Sequence, residues 1–317
     1  MREVLVEAKN LKKYFPIKSG SVHAVDNVNL QIKAGETLGV VGESGCGKST
    51  LGRTMVRLYD PTDGDVLFKG QSILGLKGKA FRKVQVGMQM IFQDPYSSLN
   101  PRMSASDLIS EPLKVCKTVT GKAAVMEKTR ETMEQCGLPE RYYNVYPHEM
   151  DGGRRQRVGL ARALVLDPEF VVCDEPVSAL DVSIQAQILN LLMDMQERNN
   201  ISYMFITHDL CVVRHISNNI MVMYMGNVVE YASRDDIFLR PAHPYTKALL
   251  SAIPTIDLSR RERERQVLKG EVSNPINPAP GCRFAPRCPY TSDRCKEDQP
   301  LLKIAPNHFV ACHECAK

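Results

Sequence analysis

The stretch Gly42-Glu43-Ser44-Gly45-Cys46-Gly47-Lys48-Ser49 decides the reading of this chain. It fits the pattern G-x-x-x-x-G-K-S/T. Glycines at this spacing let the backbone curl so that successive N–H groups face inward and form a nest for an anion. The helix that opens at the end of the loop, from about Thr50, adds the positive end of its dipole. Lys48 then reaches the β- and γ-phosphates of a nucleotide, and the Ser49 hydroxyl ligates Mg²⁺. The surroundings agree with the motif. Glu36 to Val41 is an apolar run that reads as a buried strand, and a helix to about Leu58 follows the loop.

Outward from the loop, Val4 to Leu11 and Val22 to Ile32 are β-rich and bounded by Gly20 and Gly35. From about Asn100 to Leu166 the spacing turns helical, over Ser106 to Lys114, Lys122 to Cys136 and Gly152 to Leu164. Strand signals return at Phe170 to Cys173 and Tyr203 to Ile206, with an amphipathic helix from Ser183 to Arg198 between them. Alternating strands and helices imply a mostly parallel sheet with crossover helices, and the helical stretch is then an insertion. Asp174 and Glu175 follow the strand Phe170 to Cys173, at the sheet edge where α/β folds place ligands. Asp174 is expected to hold Mg²⁺, directly or through water, and Glu175 to polarise an attacking water as general base.

The 317 residues carry 41 Lys plus Arg against 36 Asp plus Glu, so 41 − 36 gives +5. That mild charge argues against a dedicated nucleic-acid binder. A hydrophobic content of 43% supplies a large core. No apolar run approaches the roughly 18 residues of a membrane span, and no secretory leader is expected at Met1. The expected compartment is therefore reducing, where thiols stay free. No internal repeat is visible.

These residues together resemble the ATP-binding cassette family. Phe92-Gln93-Asp94 is similar to its Q-loop, and Met150-Asp151-Gly152-Gly153-Arg154 stands where its Leu-Ser-Gly-Gly-Gln signature belongs. Ser178 to Asp181 is similar to its D-loop, and Thr207-His208-Asp209 to its switch histidine. The elements occur in family order over residues 1 to about 250. The resemblance implies a P-loop NTPase cassette with a parallel-sheet core, an antiparallel β subdomain and an inserted helical subdomain. It makes Glu175, His208 and Gln93 catalytic, with Gln93 also near Mg²⁺. Phe15, backed by Tyr14, would stack on adenine, and Gly42 to Thr50 with Asp174 would bind the nucleotide. In this family two cassettes pair head to tail, and each signature completes the partner's ATP site. Asp151 replaces the usual serine there and Arg154 the usual glutamine. An asymmetric heterodimer with one weaker site is the expectation; neutralisation of Asp151 by Arg154 or Arg155 is the other reading.

After Ala252 the chain changes character, with a charge run from Arg260 to Arg265 and then a Pro-rich segment. A division into 1–252 and 253–317 is expected. Cys282, Cys288, Cys295, Cys312 and Cys315 cluster there, and thiols this close in a reducing compartment suit an iron–sulfur cluster or zinc. Asn277 to Pro289, preceded by Arg240 to Thr246, resembles the C-terminal extension of oligopeptide and dipeptide importer ATPases, some of whose relatives carry nickel. By that resemblance Cys282, Cys288, Cys295 and Cys312 hold a [4Fe–4S] cluster in a small structural lobe, with Cys315 extra. It also implies a peripheral subunit on the cytoplasmic face of the cell membrane. Its partners would be a second cassette, two permeases docked near Gln93 and Pro95 to Asn100, and an extracytoplasmic solute-binding protein. A soluble cassette ATPase is the competing class. Cys46 is expected to be a small space-filling residue of the loop.

Overall fold

The computed structural model describes residues 3–94, 98–253 and 275–315. Pro95 to Ser97 of the expected docking segment and the charge run Arg260 to Arg265 lie outside the described residues. The chain forms two compact units, one of residues 1–7, 31–36 and 66–205, the other of residues 8–30, 37–65 and 206–317. β1 (Val4–Ile17), β2 (Gly20–Lys33) and β4 (Asp63–Phe68) run through both, and with β5 (Gln71–Ser72) they form the antiparallel subdomain in the order β2-β1-β4-β5.

The unit that carries the phosphate loop is built on β3 (Thr37–Val41), β9 (Asn219–Tyr224) and β10 (Asn227–Ser233). β3 pairs in parallel with β9, and β9 in antiparallel with β10. All five β3 residues are buried, as expected of a strand covered on both faces. Among the described residues, the helices of this unit are α1 (Lys48–Met55), α7 (Leu210–Ile216), α8 (Arg234–Leu239) and α9 (Pro244–Ser251). α1 stops one turn short of the expected Leu58.

The tail departs from the expected separate lobe. β11 (Leu302–Ala305) and β12 (His308–Val310) form a hairpin, and β12 pairs with β10. Phe284 is buried in the same apolar cluster as Tyr224 and Tyr245. Residues 275–315 therefore share the sheet and core of the phosphate-loop unit, which supply the apolar burial that a segment this small cannot provide alone.

The other unit holds β6 (Met88–Ile91), β7 (Phe170–Asp174) and β8 (Ser202–Ile206), ordered β8-β7-β6, with β6 and β7 parallel. Its helices are α2 (Gly78–Gly87), α3 (Ala105–Cys116), α4 (Lys122–Gln135), α5 (Gly152–Leu164) and α6 (Val182–Asn199). Ser104, Asp151 and Asp181 cap α3, α5 and α6 by accepting backbone N–H bonds, which fixes where each helix starts. α3, α4 and α5 pack together as the helical insertion.

Candidate nucleotide site

The loop Gly42–Ser49 leaves β3 and enters α1. Gly47 takes φ +104°, and a Cβ there would lie 2.0 Å from the Ala24 carbonyl oxygen, so only glycine allows this turn. Lys48 is buried, and its Nζ donates to the Gly42 and Glu43 carbonyls at 2.8 Å each. The ammonium thus lies folded against the loop, ready to exchange carbonyls for phosphate oxygens. Cys46 is buried beside it at 3.7 Å, and burial pushes its thiol up, against the pull of Lys48. This buried thiol fills space beside the lysine. Ser44, Gly45, Ser49 and Thr50 complete the loop and the first turn of the helix.

Phe15 is half-buried with its ring edge-on to Tyr59 at 5.6 Å, and Lys13 Nζ stands 5.0 Å from its centroid. Tyr14 does not back it. It stacks on His23 at 3.9 Å and donates its hydroxyl to Asp26. Alternation along β1 sends neighbours to opposite faces, so consecutive aromatics cannot share one platform. His208 follows β8 and is exposed, and the next residue, Asp209, caps α7.

In the other unit, Asp174 ends β7 fully buried. Glu175 follows in the left-handed region at φ +47°, and its carboxylate accepts a 3.0 Å bond from Gln93 Nε2. Gln93 and Glu175, far apart in sequence, therefore meet. Asp151 accepts from the Arg154 N–H at 2.8 Å as the cap of α5, and also pairs with the Arg154 guanidinium. Arg155 is buried; its side chain donates to the Pro147 carbonyl and its backbone N–H to the Asp151 carbonyl. The aspartate thus keeps the capping role that serine has at such a position. A Cβ on Gly153 would lie 2.8 Å from Ile184, so the signature glycine lets α5 and α6 approach closely, while Gly152 has more room. A cavity lined by Phe92, Ser98, Leu99, Pro112, Gln156 and Arg162 opens between the β6 end and the helical insertion.

Four tail cysteines, Cys282, Cys288, Cys295 and Cys312, line one small cavity with His313 at its wall. Cys315 is set aside, its thiol donating to the Ala242 carbonyl at 3.1 Å. The bond from Cys315 brings the Cys312 thiol down to about 6, while burial raises Cys282 to about 11. Among the described residues, no three His, Cys, Asp or Glu side chains stand in a metal-holding group. Among the described residues, no helix is long and apolar enough to cross a membrane.

Sequence reasoning missed the residues that brace the loop from afar. Tyr245 OH accepts the Glu43 N–H at 2.8 Å, and Arg287 pairs with the Glu43 carboxylate. Arg283 pairs with Asp26 and donates to the Met225 carbonyl. Burial would raise the Asp26 carboxyl, but the Tyr14 hydroxyl and Arg283 together hold it below the usual range. No local pattern signals these contacts.

Residues 25–178 match the ABC transporter family, and residues 229–295 match the oligopeptide/dipeptide transporter C-terminal region. Among solved structures, the post-hydrolysis dimer of the ATP-binding cassette MJ0796 bound to ADP and Pi is 29% identical, with a TM-score of 0.67 over 73% of this chain and 99% of that one. The CbiO1 cassette of Clostridium perfringens is 26% identical, with a TM-score of 0.66 over 75% and 92%. The chain belongs to the ATP-binding cassette family and is an ATPase of that type. Within it, the chain is 51% identical to the oligopeptide transport ATP-binding protein AppF of Bacillus subtilis, over 98% of both chains. It is 47% identical to OppF of Salmonella typhimurium, over 98% of this chain and 96% of that one.

Proposed function

We propose that this chain is the ATP-hydrolysing subunit that powers import of oligopeptides or related small solutes through a membrane transporter, as a peripheral subunit on the cytoplasmic face. The observation that carries the hydrolytic part is the Gln93–Glu175 bond, which holds a carboxylate at the strand end where a water-activating base belongs. The tail match and the full-length likeness to oligopeptide transport proteins support the peptide class. Lys48 and the loop N–H groups bind the phosphates, Phe15 stacks the base, and His208 contacts the γ-phosphate. Ser49 and Asp174 offer the hard oxygen donors that Mg²⁺ prefers, with Gln93 nearby in role; the ion supplies charge neutralisation when bound. Two permeases form the pathway and dock at the cavity beside Phe92 and Arg162, whose mixed apolar and basic lining suits a short helix carrying a carboxylate. An extracytoplasmic binding protein delivers the solute.

A second cassette completes each ATP site, and the Asp151 signature serves the weaker of two sites in an asymmetric heterodimer. The four cysteines line one cavity but, among the described residues, do not stand in a metal-holding arrangement, so a [4Fe–4S] cluster, or zinc, holding the tail turns together rests on the clustering of the thiols in sequence and on the resemblance of the tail. Absorption near 400 nm in anaerobically purified protein is the expected signal; a colourless protein with one equivalent of zinc removes the cluster. Affinity purification of the chain from detergent-solubilised membranes tests the importer reading. Recovery of two permeases and a second cassette is expected, and a chain recovered only from the soluble fraction refutes it.

A further inference from the structure

The phosphate loop is held from outside at Glu43, and the holding group comes from the tail. Arg287 Nη1 and Nη2 donate to the two Glu43 carboxylate oxygens at 2.7 and 3.1 Å. This is the fork-to-carboxylate geometry that only arginine offers. The Arg287 side chain is 7% exposed and that of Glu43 27%, so the pair is shielded mainly on the arginine side. Three further contacts fix the same loop residue. Its N–H donates to Tyr245 OH, its carbonyl accepts from Lys48 Nζ, and the Cys46 N–H also points at that carbonyl at 3.3 Å.

Arg287 is mounted on a rigid base. It ends the turn Ala285–Arg287, one residue before Cys288. Phe284, just ahead of that turn, is buried with its ring 5.2 Å from Tyr224 and 5.4 Å from Tyr245. Arg283 ties the same stretch to Asp26 and to the Met225 carbonyl. The Gly226 that follows Met225 donates its N–H to the Cys46 carbonyl of the loop at 2.8 Å. The tail thus holds the loop directly at Glu43 and, through Arg283 on the Met225 carbonyl, braces the turn whose Gly226 bonds Cys46.

We propose that Arg287 is a positioning residue of the nucleotide site, and that it couples closure of the tail to nucleotide affinity. The proposal rests on the reading of Gly42–Ser49 as an ATP site. Glu43 belongs to the phosphate loop, so its carboxylate, if left unneutralised, opposes a polyphosphate bound there. The guanidinium cancels that charge and keeps the carboxylate turned toward the tail. Because coupling between two binding events is reciprocal, bound nucleotide must in turn hold the tail closed.

Isothermal titration of the full chain with Mg-ATP tests this. Arg287→Ala should raise Kd about tenfold, the scale of one like charge about 12 Å from a phosphate at an effective dielectric of about 20. In the assembled transporter KM should rise in parallel, with kcat falling less than about twofold. Arg287→Lys, which keeps the charge but loses the fork, should fall between. The double variant Arg287→Ala/Glu43→Gln removes the stranded carboxylate and should recover most of the affinity; a purely structural role predicts no recovery. Hydrogen exchange supplies the reciprocal readout: Mg-ATP should slow amides over Phe284 to Cys295 in the wild type and not in Arg287→Ala. An Arg287→Ala affinity within about twofold of wild type, a double variant no better than the single, or a tail blind to Mg-ATP overturns the proposal. A wild-type chain that binds no Mg-ATP would instead sink the nucleotide reading itself.

Discussion

Glu230 offers the sharpest test of how the tail is joined to the phosphate-loop unit. It lies on β10 with no exposed surface. Its carboxylate accepts the Ala242 N–H at 2.8 Å, the His243 N–H at 2.9 Å and His308 Nε2 at 2.7 Å. One side chain therefore joins β10, the start of α9 and the tail strand β12. A hydrogen bond to a charged group contributes about 1.5–3 kcal/mol, and each buried donor left without its acceptor costs about 1–3 kcal/mol. The three bonds share one acceptor and do not add, so Glu230→Ala should cost about 4 kcal/mol. Glu230→Gln keeps one acceptor oxygen and should cost about half of that. The assay is native-state hydrogen exchange of amides on β10 and β12, which reads the opening free energy of this part of the fold without requiring two-state unfolding of the whole chain. Glu230→Ala should lower that opening energy by about 4 kcal/mol at both strands together. A change below about 1 kcal/mol, or loss of protection at β12 alone, would refute the argument that this carboxylate joins the three elements.

Three further outcomes follow from the same geometry. On the proposed stacking of adenine on Phe15, Phe15→Ala should raise the ATP KM about tenfold, in line with roughly 1–3 kcal/mol per stacked base; steady-state ATPase assays at varied ATP check this. Asp151→Ser keeps the α5 cap and loses only an exposed pair with Arg154, so unfolding stability should move by less than about 1 kcal/mol. ATPase activity of the assembled complex should rise if the carboxylate weakens the site, and no change or a fall would leave neutralisation by Arg154 as the account. Burial, with Lys247 adding to it, pushes His243 down to about 3 from its ordinary 6.5. The unfolded chain then takes up a proton between those values that the folded chain refuses, so this residue's contribution to stability is intact above pH 6.5 and is lost as pH falls toward 3. His243→Asn, which keeps a side-chain acceptor at the helix cap, should flatten urea midpoints over that window.

The local devices of this fold are readable in the sequence. The loop Gly42–Ser49 and the all-buried strands β3, β7 and β8 each announce themselves within a few residues. Contacts between distant residues are not readable in this way. Arg287 meets Glu43 across 244 positions, and Tyr245 meets it across 202. Both partners are ordinary residues in their own neighbourhoods. β11 and β12 escaped notice for another reason. They are four and three residues long, in a Pro-rich stretch, and gain their strand character from pairing with each other and with β10. Propensity is a weak guide where tertiary pairing decides.

The central claim is that Glu175 activates water for ATP hydrolysis at a site whose nucleotide is held by the loop. Turnover and binding measured together on Glu175→Gln in the assembled transporter test it most directly. The substitution keeps shape and the contact to Gln93 but removes the basic oxygen. The account predicts that kcat falls by about 10²–10⁴-fold while the Kd for Mg-ATP stays within about threefold of wild type. Turnover within tenfold of wild type would contradict it, because a general base cannot be lost at so small a cost.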